Sequence, residues 1–230
     1  MYVLFIANKN YSSWSLRPWV LMETLGIPFE ERVVPFGQGP GGHDFRKFAP
    51  NGKVPCLHDG ATVVWDSLAI VEYLAERHAG VWPADADSRV FARSAVAEMH
   101  SGYPALRGTC GMTCGQRVRL HRIDTGLRED LERLQEVWQD GLSHFGGPFL
   151  AGSRFCAVDA FFAPVAFRIQ TYGLEAGTAA MEYADRLLAL PAMQRWYEAA
   201  LAEAWRDDAH DRETLSVGTV LEDLRHAARV

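Results

Sequence analysis

The sequence has few cysteines, and the four it has are poorly placed for a cross-linked or metal-bound structure. A chain of 230 residues needs more than Cys56, Cys110, Cys114 and Cys156 to form a disulfide framework. No other histidine or cysteine pair lies near Cys110 and Cys114, so no zinc site is expected. We therefore expect small buried thiols in a reducing compartment and no bound metal.

An excess of basic residues and a long apolar run are also missing. The formal net charge is −6 and the pI is about 5.7, which gives no general attraction to the phosphates of nucleic acid. The apolar run at Phe161 is interrupted by Asp159 and Pro164, so it is too short to cross a bilayer. Residues 2–7 lack the basic start of a secretory signal. We expect a soluble cytoplasmic protein that binds neither nucleic acid nor membrane.

The first 80 residues predict an α/β domain. Residues 2–7 form a continuous apolar run typical of a buried strand, and helical spacing follows from Leu16 to Leu25. Residues 29–34 predict a second strand, and the Asp59-Gly60 pair predicts a tight hairpin between residues 56–58 and 62–65. A helix follows from residue 67. This order is typical of a thioredoxin-like domain with a mixed four-stranded sheet.

Residues 81–86 predict a linker, and from residue 87 to 230 we expect an all-helical bundle domain. Its first long helix would bend at Pro104 without ending there. The basic run 117–122 is expected on the surface. Residues 220–224 are expected to form a last amphipathic turn, and the sequence leaves open whether this turn closes over the cleft. Asp159 follows Cys156 in a capping-box pattern, and because a thiol is a poor cap we expect Asp159 to be structural.

Two features flank the predicted hairpin. Pro55 has no N–H, so Val54 lies outside the ladder with its own N–H and C=O free to pair with another peptide. Asp66 and Ser67 are good N-cap residues for a helix whose dipole and unpaired N–H groups favour an anion. Alone, each feature is typical of a plain turn or a plain cap. A ligand with both a peptide bond and a carboxylate would satisfy the pair.

A third feature is the loop that precedes the first helix, which carries Ser12, Ser13 and Ser15. These hydroxyls are either capping groups or chemical groups. The first strand delivers the loop to the same sheet edge as Val54 and Asp66, which favours chemistry. Arg17 would either add a positive field or hold an interdomain contact.

The segment NGKVP at residues 51–55, followed by DSLAIVEYL at residues 66–74, resembles the glutathione-binding segment of the glutathione transferase superfamily. The loop at residues 11–17 is similar to the Ser-Ser-x-Ser-x-Arg motif of the zeta class, although Trp14 stands where the zeta enzymes carry cysteine. The resemblance covers nearly the whole chain. It implies a cytosolic, serine-type member that is zeta-like or theta-like and homodimeric.

The resemblance assigns the parts of glutathione to residues. Pro55 would be cis, Val54 would pair with the cysteinyl unit, and Asp66 with Ser67 would hold the γ-glutamyl end. His43 and Lys53 would meet the glycine carboxylate, or else extend into solvent. Ser12 would stabilise the thiolate, with Ser13 and Ser15 as near alternatives.

The helical domain would shape a second pocket, for which the candidates are Met99, His100, Tyr103 and Arg107. Arg93, His100 and Arg107 recur at intervals of seven and share a face. That face would meet a negatively charged electrophile if it lines the cleft; otherwise it is solvated or interdomain.

The resemblance implies a glutathione transferase of the detoxification type, which joins the thiolate of its co-substrate glutathione to a small hydrophobic electrophile. Two alternatives remain. One is a glutathione-dependent isomerase of the maleylacetoacetate type. The other is a non-catalytic module that uses the same fold to bind protein partners.

Overall fold

The computed structural model describes residues 1–37 and 45–226, and its first part is a four-stranded mixed sheet. The strands lie in the order β2-β1-β3-β4. Their bounds are β1 (Tyr2–Ile6), β2 (Phe29–Val33), β3 (Cys56–Asp59) and β4 (Thr62–Trp65). Strand β1 is parallel to β2 and antiparallel to β3, which pairs with β4. Helices α1 (Ser13–Leu25) and α2 (Ser67–Ala75) follow β1 and β4, so the predicted α/β domain is confirmed.

The rest of the described chain is mainly helical, as predicted. Its helices are α3 (Ala86–Ser101), α4 (Pro104–Thr109), α5 (Thr125–His144), α6 (Ala157–Tyr172), α7 (Thr178–Leu188), α8 (Pro191–Ala202) and α9 (Asp208–Val217). Helix α6 forms the centre, because residues 157–169 are buried on every face. It contacts α1 of the sheet domain as well as α3 and α7, so one apolar helix joins the two parts of the core.

The helical part also contains a two-stranded antiparallel sheet that we did not predict. Strand β5 (Gln116–Leu120) occupies the basic run, and strand β6 (Gly218–Asp223) replaces the expected amphipathic turn. Val118 is buried between two arginines, which is the alternation of a half-buried strand. Gly218 lets the strands approach closely, since a Cβ there would lie 2.6 Å from Val118 Cγ1.

The predicted bend at Pro104 is instead a break. Helix α3 ends at Ser101, and Tyr103 takes a left-handed conformation with φ of 56° before Pro104 starts α4. Proline lacks the N–H that would continue the helix and restricts the residue before it, so the chain turns there. Arg107 consequently lies on a different helix from Arg93 and His100, and the face spaced by sevens does not exist as one surface.

The loop between β1 and α1 is held by the helical domain. The Glu203 carboxylate accepts hydrogen bonds from the backbone N–H groups of Lys9 (2.5 Å) and Asn10 (3.3 Å). Trp196 Nε1 donates to the carbonyl of Lys9 at 2.9 Å. Glu203 is buried, and burial raises its pKa to about 7. The loop position therefore depends on residues nearly two hundred positions away.

Glu203 should make the protein less stable as pH rises. Its pKa is about 7 when folded against an ordinary 4.5, so between these values the folded state holds a proton that the unfolded state has released. Stability contributed by that proton is present below pH 4.5 and is lost as pH rises through 7. We expect Glu203→Gln to reduce the difference in unfolding free energy between pH 5 and pH 8 by about 1–3 kcal/mol, measured in urea.

Exposed Glu198 on helix α8 provides the matched control, and Glu198→Gln should leave the pH dependence unchanged. In Glu203→Gln one acceptor for a backbone N–H is lost at every pH. Comparing the unfolding free energies at pH 5 and pH 8 within one variant cancels this constant loss. An unaltered pH slope in Glu203→Gln would contradict the assignment.

Candidate active site

A cavity of about 370 Å³ lies between the sheet domain and the helical domain. The sheet domain lines it with Tyr11, Ser12, Ser13, Trp14, Phe36, Phe45, Gly52, Lys53 and Val54. The helical domain lines it with Arg107, Gly111, Met112, Arg168, His210 and Glu213. The serine loop and Val54, predicted to share one edge of the sheet, thus face one space.

A second cavity of about 270 Å³ adjoins the first. It is lined by Trp14, Asn51, Lys53, Val54, Pro55, Asp66 and Ser67. Trp14, Lys53 and Val54 line both cavities, so the two lie side by side and are together called the groove below. The start of α2 lines the smaller cavity, and the start of α1 lines the larger one.

Val54 presents a free edge of backbone to the groove. The peptide bond between Val54 and Pro55 is cis, and β3 begins one residue later at Cys56. Within residues 1–37 and 45–226, the N–H and C=O of Val54 have no backbone hydrogen-bond partner. An extended peptide could therefore pair with Val54 as an added strand does.

The start of α2 combines strain with an unsatisfied hydroxyl. Asp66 has φ of 75°, which is uncommon for a residue with a side chain, and its carboxylate accepts from Leu68 N at 2.8 Å. Ser67 is fully buried, and its hydroxyl has no partner among the described residues. Together with the helix N-terminus, this orphaned hydroxyl can bind a carboxylate, and the Asp66 carboxylate can bind an ammonium group.

The three serines of the α1 loop occupy different positions. Ser12 and Ser13 line the larger cavity, and Ser12 Oγ donates to Ser15 Oγ at 2.7 Å. Ser15 is fully buried behind the cavity wall, where its hydroxyl also accepts from Ala7 N at 3.3 Å. Ser15 therefore braces Ser12, and the residues left to meet a ligand are Ser12 and Ser13.

The C-terminal segment completes the cavity wall. His210 of α9 stacks on Tyr11 with ring centroids 5.0 Å apart, and its Nδ1 lies 3.0 Å from Asp207. The Tyr11 hydroxyl donates to Asp211 at 3.0 Å and accepts from Arg225 at 2.7 Å. Burial raises the pKa of Tyr11 above its ordinary value, so this phenol stays protonated. Its hydroxyl is already hydrogen-bonded to Asp211 and Arg225 of the C-terminal segment.

The predicted second-pocket residues are only partly brought to the cavity. Arg107 lines it, whereas Met99 is fully buried in the core and Tyr103 turns its hydroxyl to Glu98 at 3.2 Å. Met99 belongs to α3, whereas the break at Pro104 places Tyr103 and Arg107 outside that helix. His100 lies beside the groove, with Nε2 3.6 Å from Asp66 and its ring on the edge of Trp14.

Burial lowers the pKa of His100, and the nearby guanidinium groups of Arg17 and Arg107 lower it further, against the opposing effect of Asp66. Lys53 lines both cavities. His43, the other candidate for a glycine carboxylate, lies outside the described residues.

Arg168, His210 and Glu213 line the cavity but were not predicted from the sequence. Arg168 left a signal, because it is a single charged side chain within the otherwise apolar run of residues 160–169. His210 and Glu213 stand in a polar tail with no pattern that separates them from surface residues.

The described cysteines are all free and buried. Burial raises the pKa of Cys56 to about 11 and that of Cys110 to about 12, so neither thiol is ionised at neutral pH. In the part of the chain that the structure describes, no group of three histidine, cysteine or acidic side chains could hold a metal ion. Among the described helices, none has the length and hydropathy that a membrane span requires.

Comparisons with known proteins identify the family of this chain. Residues 11–77 match the glutathione S-transferase N-terminal domain family, and residues 117–199 match the glutathione S-transferase C-terminal domain family. The chain belongs to the cytosolic glutathione S-transferase superfamily. The two matches include the serine loop, Val54, Asp66 and the helical core.

Individual relatives are distant. The glutathione S-transferase-like protein OpS6 of Beauveria bassiana is 26% identical over 168 residues, which cover 70% of this chain and 76% of that protein. A maleylpyruvate isomerase of Ralstonia sp is 34% identical over 96 residues, covering 39% of this chain and 45% of that one. A crystal structure of a glutathione transferase homolog from Burkholderia superposes with a TM-score of 0.65 at 22% identity, covering 86% of this chain and 97% of that chain.

Proposed function

We propose that this protein is a glutathione transferase that joins the glutathione thiolate to a small electrophile. The observation that carries the proposal is the groove itself, in which a free Val54 backbone lies between the starts of α1 and α2. Glutathione has a peptide backbone, a thiol and two carboxylates, and the groove offers a separate partner to each. The Burkholderia homolog named above was solved with bound glutathione.

In the proposed complex the cysteinyl unit pairs with Val54. The γ-glutamyl carboxylate binds the Ser67 hydroxyl and the start of α2, and its ammonium group meets Asp66. Lys53 is the described candidate for the glycine carboxylate, with His43 as its proposed companion. The thiol then lies beside Ser12 at the start of α1.

The free energy that Ser12 must supply to stabilise the thiolate is within the range of one hydrogen bond. A free thiol titrates near pH 8.5, and lowering its pKa by about two units needs about 2.7 kcal/mol of preference for the thiolate. One charge-assisted hydroxyl bond supplies about 1.5–3 kcal/mol. Ser12 therefore acts as a hydrogen-bond donor, leaving Ser15 for the sulfur, and does not need to lose its own proton.

The proposal predicts opposite effects of one substitution on stability and on binding. Because the Ser67 hydroxyl is buried without a partner, Ser67→Ala should leave the free protein as stable as the wild type or slightly more stable. The same change should weaken glutathione binding about tenfold, since it removes one hydrogen bond to a carboxylate. Calorimetric titration with glutathione gives the Kd, and thermal unfolding without ligand gives the stability.

Ser143→Ala is the matched control, because Ser143 is exposed on α5 and donates only to backbone carbonyls there. It should leave glutathione binding unchanged. If Ser67→Ala binds glutathione with wild-type affinity, the proposed γ-glutamyl site is wrong.

Turnover of 1-chloro-2,4-dinitrobenzene, with release of chloride and formation of the glutathione thioether, tests the activity directly. The isomerase alternative is favoured by the partial similarity to a maleylpyruvate isomerase. It would regenerate glutathione and leave the mass of the electrophile unchanged, so mass spectrometry separates the two reactions. Glutathione binding without turnover of any electrophile or isomerisable substrate would favour the non-catalytic module.

A homodimer, a cytoplasmic location and a role in detoxification remain predictions from the resemblance. Sedimentation equilibrium of the purified chain tests the first of these.

A further inference from the structure

Three arginines lie close together near the boundary between the two cavities, and of these Arg17 and Arg168 are buried while Arg107 is half-buried. Arg17 Cζ lies 4.1 Å from the centre of the Trp14 ring, and Arg107 Cζ lies 4.5 Å from it. Burial lowers the pKa of Arg17, and the nearby guanidinium groups of Arg107 and Arg168 lower it further. These residues come from α1, α4 and α6, so the fold brings them together from distant parts of the chain.

The Asp66 carboxylate is near enough to Arg17 to oppose the lowering of its pKa, yet it forms no ion pair with any of the three guanidinium groups. In the described ranges none of them forms an ion pair, and Arg17 Nε and Nη1 are buried without any hydrogen-bond partner. Burial lowers the pKa of Arg168 to about 10, which still leaves it charged at neutral pH. Buried charges are costly when they are unpaired, and adjacent like charges add to that cost. Such a cluster is typical of a site whose counterion is a ligand.

Two of the three reach the larger cavity in fixed positions. Arg107 Nη1 donates to the carbonyls of His100 (2.9 Å) and Gly102 (3.2 Å), and Arg168 Nε donates to that of Cys110 at 2.7 Å. The remaining nitrogens of both have no acceptor among the residues described. Both side chains line the cavity and are held in place before any ligand arrives.

The described lining of the larger cavity is positive overall. Lys53, Arg107 and Arg168 face one acidic side chain in the described lining, that of Glu213. In the proposed complex the two carboxylates of glutathione are assigned to Ser67 with the α2 terminus and to Lys53. The arginines lie on the helical side, beyond Ser12, where the second substrate would enter.

We propose that Arg107 and Arg168 bind a carboxylate carried by the electrophilic substrate. This inference rests on the proposed function and replaces a merely hydrophobic electrophile with an anionic one. The carboxylate would hold the electrophilic carbon near the thiolate beside Ser12, and Met112 and Gly111 would contact the apolar part of the substrate. Planar guanidinium groups suit a planar carboxylate because they donate paired hydrogen bonds.

The test compares 4-chloro-3-nitrobenzoate with its neutral carboxamide. In both, the glutathione sulfur forms a bond to the carbon that carries chlorine, the C–Cl bond breaks, and chloride leaves with the bonding electrons while the thiol proton goes to solvent. Each kcat/KM is divided by the uncatalysed rate constant with glutathione, which corrects for intrinsic reactivity. We expect the wild type to favour the carboxylate about ten- to one-hundredfold.

Arg107→Met and Arg168→Met should bring this preference close to one through a higher KM for the carboxylate, with the KM for glutathione unchanged. Arg117→Met is the matched control, because Arg117 also donates to backbone carbonyls and does not line the cavity. It should keep the wild-type preference. Circular dichroism establishes that each variant is folded.

Because Arg168 is buried, its replacement can prevent folding, and a measurement on the wild type therefore tests the same inference independently. Competitive inhibition by 4-nitrobenzoate should be at least about tenfold stronger than by 4-nitrobenzamide, and should weaken at high salt. Wild-type turnover of the carboxamide without preference for the carboxylate would overturn this inference and leave the proposed function intact. Arginine variants that lose glutathione affinity would also overturn it. Failure to bind glutathione at all would overturn the proposed function itself.

Discussion

Ser12→Ala is expected to lower kcat/KM for conjugation about ten- to one-hundredfold, which corresponds to the loss of one charge-assisted hydrogen bond. Ser12 lines the larger cavity at the start of α1, and Ser15 holds its hydroxyl within 2.7 Å. Without this donor, the bound thiol loses part of its preference for the anionic form. The variant should lose only about 1 kcal/mol of stability, because the Ser12 side chain makes no capping bond to the helix and its one hydrogen bond is to the Ser15 hydroxyl.

The pH dependence distinguishes this role from a structural one. Removing a donor to the thiolate should raise the apparent pKa of the bound thiol by about one to two units, measured from kcat/KM against pH. The variant then has less thiolate at pH 6.5, and its deficit should shrink as pH rises above the new pKa. A deficit that is the same at every pH would show that Ser12 only positions the loop.

Ser13→Ala is the matched comparison, since Ser13 lines the same cavity one residue later. We expect a loss of less than about threefold, because a group that does not contact the thiolate contributes little to its stability. The reverse result, in which Ser13→Ala takes the large loss and Ser12→Ala the small one, would move the thiolate to Ser13.

Asp159→Ala is expected to lower the free energy of unfolding by about 3–5 kcal/mol, as for a buried charged group whose removal leaves its partners unpaired. The Asp159 carboxylate is fully buried and accepts from Leu150 N (3.0 Å), Cys156 N (2.9 Å) and Tyr183 Oη (2.8 Å). Alanine leaves these three donors without an acceptor in the core. Burial raises the pKa of Asp159 to about 6, so the carboxylate is ionised at pH 7.5, where urea unfolding should be measured.

Asp124→Ala is the control against which the loss of unfolding free energy in Asp159→Ala is compared. Asp124 also accepts a backbone hydrogen bond at a helix start, from Leu127 N at 2.9 Å, but it is exposed. An exposed N-cap contributes about 1 kcal/mol. Equal losses in the two variants would contradict the view that burial makes Asp159 a central element of the helical core.

The site features that could be predicted from the sequence are those determined by residues adjacent to one another in the chain. Pro55 removes its own N–H, the Asp59-Gly60 pair makes the turn, and Asp66 caps the helix that follows, so each consequence is local. The order of strands then brings Val54 and the serine loop to one groove.

Features that depend on distant contacts could not be predicted in the same way. Tyr103 was expected inside a bent helix, because spacing alone does not show that Pro104 will start a new one. Strand β5 has an alternating pattern, but its partner β6 lies about a hundred residues later. Likewise, nothing near Arg168 in the sequence reveals that Arg17 and Arg107 will lie beside it.

The hydrogen bonds of Glu203 and Trp196 to the backbone of Lys9 and Asn10 affect what the first domain can do when it is expressed alone. A fragment ending near residue 80 would keep all four strands of its sheet, yet the turn that leads into Ser12 would lose the acceptor and the donor that shape it. The sulfur-binding chemistry thus belongs to neither half alone, and an excised first half would be a scaffold without its reactive centre.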